Sequence, residues 1–440
     1  MSRGAAGFLV VRGEGVDGRA GMKMTDESKD CMPRLRFPEF RQADDWDYIS
    51  GGDVFSNAVE KNSQNLPLPI LAITQENGAI PRDEINYSVI VSDESIKNYK
   101  IVKKGDFIIS LRTFQGGIEY SSFDGLCSPA YILLRKKKGI NYYDSFFIYY
   151  FKEYSFIQSL NKDLMGIRDG KIIPYSHFAK INLPFPPLKE QQKIADCLSS
   201  LDELIEAHEQ KRDALVEHKK GLMQRLFPAE GETTPRWRFP EFRKAPKWKK
   251  EKLGKLLIGR PEYGVNAPAV PYSPDLPTYI RITDISDAGT FIKDKKMSVD
   301  IDPNPNFYLQ LGDIVFARTG ASVGKSYKFR QEDGQLVFAG FLIRVRPDSN
   351  KLNSDYLFHY LSTSQYWKWV RFMSMRSGQP GINGAEYASL TLPMCSLPEQ
   401  QKIADCLSSL DARIEAEEAE IAALREQKQG LMQQLFPQSL

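Results

Sequence analysis

Three short runs place chemistry-bearing residues at suggestive spacings. Gly320 to Ser326 reads GASVGKS, close to the loop whose backbone amides and lysine cradle nucleotide phosphates. That loop needs four residues between its glycines and here there are three; it also lies between two β-type runs, so no helix N-terminus faces a phosphate. Asn304 to Phe307 (NPNF) falls one proline short of the Asn-Pro-Pro-aromatic site used in adenine methylation. No glycine-rich cofactor fingerprint follows a strand upstream, and a turn accounts for it. Asp275 with Asp294, Lys295 and Lys296 carries the carboxylates and lysine of a nuclease, a combination that chance supplies often where 26% of residues are charged. Five cysteines form no CxxC and no cysteine–histidine spacing for zinc. Enzymatic chemistry is therefore not written in these motifs.

What remains is cationic and amide-bearing. The first half offers Lys97 and Lys100, then Arg112 and Gln115 after a strand, then Arg168 and Lys171 in a glycine-containing loop. The second half offers Arg318 and Lys325, then Arg376 and Gln379. Arginine pairs bidentately with guanine, glutamine with adenine, and lysine neutralises phosphate, so this set points to DNA. Solvated surface charge is the alternative for each residue taken singly. The loops after the first long strand and after the helical stretch carry the strongest expectation, because both halves place Arg with Gln or Lys there. The second half also opens on ten basic residues between Arg236 and Arg260, against Glu241 and Glu251; phosphate contact and subunit contact both fit that run. With a net charge of only +3, any such footprint is local.

The elements that must position these residues are duplicated. Glu190 to Asp202 and Glu399 to Asp411 are the same thirteen letters, EQQKIADCLSSLD, 209 positions apart, and GLMQRLFP (221–228) answers GLMQQLFP (430–437) at the same offset. From 194 to 226 and from 403 to 435, apolar residues recur at alternating steps of four and three, the period of a coiled coil. A helix from Leu188 to Leu226 would be about 58 Å long, and such a stripe needs a partner in water. Pairing the two copies antiparallel with matched ends makes facing positions sum to 629, which sets Arg212 against Glu417 as the register pair. Burial of the stripes against a globular domain is the alternative.

A second repeat precedes each helix. PRLRFPEFR (33–41) and PRWRFPEFR (235–243) lie 202 positions apart, with Trp46 answering Trp248. Between lead-in and helix, identity is lost but order is kept: a Gly-Asp turn and strand (Gly105 to Arg112; Gly312 to Arg318), a longer strand (Cys127 to Arg135; Leu336 to Arg346), then an aromatic helical stretch (Tyr142 to Leu160; Ser354 to Met373). Helical spacing makes those aromatics core rather than base-stacking residues. The expected class is α+β: a disordered N-terminal tail (1–32), a first mixed domain (33–187), a central long helix and linker (188–234), a second mixed domain (235–395) and a C-terminal long helix (396–440). No apolar run is long enough for a membrane span, and the odd cysteine count without a secretory signal leads to a reduced, cytoplasmic setting.

Two diverged domains, each followed by a near-identical helix opening PPLKEQQKIA or SLPEQQKIA, resemble the DNA-specificity subunit of type I restriction-modification systems over residues 33 to 437. The resemblance implies two target-recognition domains, each reading half of a bipartite site in double-stranded DNA, with the helices as a pseudo-twofold ruler between them. It implies no catalysis and no cofactor on this chain. S-adenosylmethionine would be bound by two modification (methyltransferase) subunits, and ATP and Mg by restriction (motor and nuclease) subunits. A non-catalytic coiled-coil scaffold binding only proteins is the competing reading.

Overall fold

The computed structural model describes residues 32–85, 93–162, 173–302, 304–375 and 379–437. The chain divides into two compact units, Met1–His208 with Glu420–Leu440, and Glu209–Ala419. Two 39-residue helices, Leu188–Leu226 and Leu397–Leu435, each contribute one part to each unit. Among the described residues no helix is long and apolar enough to cross a membrane.

In the first unit the central sheet runs Phe55–Ala58, Ile132–Lys136, Phe107–Ile109, Glu119–Tyr120, with antiparallel neighbours. The expected strand after the Gly-Asp turn is Phe107–Ile109, and it reads apolar throughout because both its faces are covered. Phe107 and Ile109 enter the main core, while Ile108 faces Leu71, Val102 and Leu133. Phe55 sits among Phe107, Phe147, Phe151 and Phe178, with ring centroids 5.6–6.0 Å away. The aromatic stretch is core, as its spacing predicts, but it is two helices, Asp144–Tyr150 and Tyr154–Asn161. Glu153 ends the first and caps the second, accepting from Ser155 N at 2.6 Å.

The second unit repeats that sheet order with Glu262–Tyr263, Leu342–Val345, Ile314–Ala317 and Ser326–Lys328. It adds a second sheet of Ala269–Pro271, Met297–Val299, Thr278–Ile280 and Leu336–Phe338. The run 336–346, expected as one strand, is thus two strands in two sheets; the chain turns at Ala339–Gly340, where Gly340 N donates to Val265 O at 2.6 Å. Likewise 127–135 is split between Gly125–Cys127 and Ile132–Lys136. The aromatic stretch again breaks into two helices, Ser354–Tyr360 and Ser364–Ser374, the second capped by Thr363.

The same joint fastens each domain to its own helix. Asp47–Ser50 pairs with Asn182–Phe185, and Lys249–Lys252 with Thr391–Met394, immediately before the helix starts. Arg36 Nε and Nη2 donate to the two carboxylate oxygens of Glu190 at 2.6 and 2.8 Å, and Arg238 does the same to Glu399 at 2.6 and 2.7 Å. Both glutamates are almost fully buried in the first helical turn, where the helix dipole favours a negative charge. The hydrogen-bonded carboxylates push both arginine pKa values above their ordinary value. The next residues, Gln191 and Gln400, are buried amides that accept from Tyr143 N and Asn353 N, both at 2.9 Å.

Inside each unit the starting part of one long helix shares a core with the end part of the other. In the first unit Ile194 and Leu198 share a core with Leu431, Met432 and Leu435, and Ile205 packs on Ile421 and Leu424. The helix ends are also buried against the domains, since Ile403 and Leu407 join Met223 and Leu226 in the second unit's main core. The expected Arg212–Glu417 register pair is not formed. Glu417 takes Lys211 at 2.6 Å, and Arg212 binds its neighbour Asp213 at 2.7 Å. Seam position 212 is solvent-accessible enough for its guanidinium to turn along its own helix. The cross-helix pairs that recur are Asp202–Lys428 in the first unit, at 2.5 Å, and Asp411–Lys219 in the second.

Each of these aspartates also meets an aromatic of its domain. Tyr149 OH donates to Asp202 at 2.7 Å, and His359 Nδ1 lies 3.7 Å from Asp411 while its Nε2 bonds Ser408 at 3.0 Å. Burial drives the His359 pKa down to about 3, and Lys219 and Lys328 add to the shift. The ring is therefore neutral, with Asp411 compensated by Lys219.

Two outcomes are expected. Arg36→Met or Arg238→Met leaves a buried carboxylate unpaired and should cost about 3–5 kcal/mol in urea unfolding. The double change Arg36→Met with Glu190→Leu should recover most of that; a single-variant loss below about 1 kcal/mol would remove the clamp's importance. For His359 the folded pKa lies below the unfolded value of about 6.5, so its contribution is complete above that pH and shrinks as pH falls toward 3. From pH 6.5 to 5 the loss should be about 2 kcal/mol, and His359→Tyr, which copies Tyr149, should lack that part of the slope. An identical pH slope in the variant would contradict it.

Candidate nucleic-acid interface

In the second unit, Arg318 follows directly on the buried strand Ile314–Ala317. Its backbone is held on both sides: Arg318 N donates to Phe341 O at 3.1 Å, and Ile382 N donates to Arg318 O at 2.9 Å. The second of these bonds, with Gly320 N to Pro380 O at 3.0 Å and a Thr319–Gly381 bridge, joins the loop after the strand to the loop after the helices. The two loops singled out from sequence are thus brought together. The Arg318 guanidinium lies 5.0 Å from the centroid of the Tyr263 ring, and among the described residues no carboxylate pairs with it. Gln379 is exposed and overhangs Gly320, whose φ of +73° and missing side chain leave that space; a Cβ there would stand 3.3 Å from the Gln379 amide nitrogen. Phe341, 57% exposed, borders the same strand end.

Lys325 is placed differently, ion-paired with Asp287 at 2.5 Å, which lowers the Asp287 pKa. Arg376 lies outside the described residues. Other cations of this half are structural. Arg281 grips Asp284 at 2.8 and 2.7 Å, and the fully buried Arg344 bonds Glu262 and contacts Asp313.

In the first unit Arg112 is exposed three residues beyond the strand Phe107–Ile109, at the start of the short helix Thr113–Gly116. Its carbonyl accepts from Gln75 Nε2 at 3.3 Å, so the loop presents Arg112 together with the exposed amide of Gln115. Lys97 is exposed on a turn. Lys100 instead lies in the strand Lys100–Val102, in a separate sheet, with its ammonium on Tyr131 O at 2.6 Å. Arg168 and Lys171 lie outside the described residues.

The dismissed motifs are turns. Gly320–Ser322 is a 3-10 turn leading toward Ser326–Lys328, and Asn304 caps the 3-10 turn Pro305–Phe307 through Asn306 N at 3.0 Å. Among the described residues no His, Cys, Asp and Glu group could hold a metal. Tyr263 and Phe341 were not anticipated. A sequence signal for Tyr263 exists in the glycine after it, since a Cβ at Gly264 would collide with the Phe338 and Ala339 carbonyls.

The model of the type I restriction modification DNA specificity domain matches residues 39–217 and 277–426. The chain is 26% identical over 426 residues to the type I restriction enzyme MjaVIII specificity subunit of Methanocaldococcus jannaschii, covering 92% of this chain and 94% of that protein. It is 24% identical over 315 residues to the EcoKI specificity subunit of Escherichia coli, covering 68% and 64%. It shares the fold of the type I restriction-modification S subunit from M. genitalium, with a TM-score of 0.56, 16% identity and coverage of 93% of this chain and 100% of that one. A chain from a study of type I restriction-modification complex assembly gives a TM-score of 0.52 at 17% identity, covering 90% and 98%. With the match spanning most of both halves, the chain belongs to the type I restriction-modification DNA specificity family.

Proposed function

We propose that this chain is the sequence-reading, non-catalytic subunit of a type I restriction-modification complex, and that each domain reads one half of a bipartite DNA site. One observation carries the reading: two near-identical joints, Arg36–Glu190 and Arg238–Glu399, support differently built loops, Arg112 with Gln115 on the short helix Thr113–Gly116 and Arg318 with Gln379 across the 3-10 turn Gly320–Ser322. A common frame with different reading loops suits two different half-sites. The two long helices act as the spacer, antiparallel and related by a pseudo-twofold. The exchange of Asp202–Lys428 for Asp411–Lys219 supports that symmetry. The duplicated helix surface offers two modification subunits the same dock, where S-adenosylmethionine supplies the methyl group. ATP and Mg belong to restriction subunits bound outside them, and the complex works on cytoplasmic DNA.

The test is binding of the assembled methyltransferase complex to a bipartite target at graded salt. Arg112→Ala should weaken discrimination at one half-site and Arg318→Ala at the other, each by roughly 5- to 150-fold, with a steep negative salt slope in the parent complex. Equal loss at both halves from either variant would overturn the assignment of one domain to one half.

A further inference from the structure

Tyr263 is built as a fixed shelf rather than as a core ring. Its strand pairs with Leu342–Val345 in the register Glu262↔Arg344 and Tyr263↔Ile343. The Glu262 side chain is gripped by the buried Arg344, with Nε at 3.0 Å. The Tyr263 hydroxyl accepts from Gly384 N at 3.0 Å, tying the ring's far edge to the start of the helix Gly384–Ser389. Gly264 closes the other side by backbone contact that admits no side chain. A ring fixed at its backbone, at its neighbour and at its hydroxyl nevertheless remains 43% exposed, and what stands over it is Arg318.

That arrangement decides between two uses of an arginine. A phosphate-binding cation works from many rotamers and gains little from a shelf, whereas recognition of a base edge needs a planar fork held in one orientation. The Arg318 backbone is clamped by Phe341 O and Ile382 N, so side-chain torsions are the freedom left, and stacking on Tyr263 restricts them. We propose that Tyr263 is a positioning residue that holds Arg318 for bidentate reading of a guanine in the half-site of the second domain. The Gln379 amide at Gly320 is placed to read a neighbouring base. This inference rests on the proposed division of the target between the two domains.

The experiment uses the assembled complex with duplexes carrying the cognate site, and with duplexes in which each base pair of either half is changed in turn. Tyr263→Leu should weaken cognate binding about 3- to 30-fold. It should flatten discrimination at one G·C pair of the second domain's half-site, leave the first half-site's profile intact and leave the salt slope unchanged. Tyr263→Phe, which keeps the ring, should retain that discrimination. Arg318→Lys should keep the salt slope and lose the guanine preference. A Tyr263→Leu complex with a shallower salt slope and unchanged base preferences would show a phosphate contact and overturn the proposal, as would unaltered binding. If the parent complex shows no half-site selectivity at all, the failure lies in the functional assignment instead.

Discussion

The buried Arg–Glu pair at each helix start is the constraint on which the rest depends. A carboxylate with no solvent exposure is tolerable only when paired and hydrogen-bonded. Glu190 and Glu399 are satisfied by bidentate arginines that reach back from the lead-in and also bond backbone carbonyls, Arg36 to Ala43 and Asp44, Arg238 to Ala245 and Pro246. One side chain thereby fixes the lead-in, the following loop and the first turn of a 39-residue helix. The buried glutamines one residue on repeat the logic with amides, tying the helix start to the residue before the first of each domain's two aromatic helices. Misplacing the helix would strand two charges and an amide together, so the orientation of helix to domain has few alternatives.

Such a joint explains where divergence is permitted. The sheet order is the same in both domains, and so is the Gly-Asp turn, with Gly105 and Gly312 at φ of +96° and +92° and the aspartates accepting from Lys103 N and Gln310 N. From the end of the third-ordered strand onward the copies part. One turns into the short helix Thr113–Gly116, the other into the 3-10 turn Gly320–Ser322 hydrogen-bonded to a second loop. The candidate residues Arg112 and Arg318 stand at or just beyond the ends of buried strands while the connections vary, so these loops can change without disturbing the core.

The duplicated helices, the Gly-Asp strands and the aromatic core were legible because each is a period or a repeat of local character. The breaks inside the strand and helix runs were not, since Glu153 and Thr363 read as ordinary members of helical windows until their side chains are seen capping the second segment. The Arg318 cluster was half legible. Its loops could be named from composition, but Tyr263 lies 55 residues earlier in the chain, and only strand pairing brings its ring under the guanidinium. Lys100 and Lys325 stood beside Arg318 as candidates in sequence and are committed to a carbonyl and a carboxylate, because reach to a partner is a property of the fold.

Of the seam expectations, the Arg212–Glu417 pair is the one the contacts do not form. The sequence counterpart of a contact between the two copies is found by adding 209 to one residue and subtracting 209 from the other. Asp202–Lys428 then becomes Asp411–Lys219, and both pairs are present. The same exchange carries Arg212 and Glu417 to positions 421 and 208, which hold Ile421 and His208, so an ion pair there has no counterpart in the other copy. Asp202 and Asp411 escaped notice because they stand one residue beyond the apolar stripe. Lysine's long stem lies along the seam while its ammonium reaches that flanking carboxylate. The stripe supplies burial, and the two ion pairs stand just outside it. The aspartate of each pair is the last of the thirteen repeated letters, so the duplication itself carries half of each ion pair.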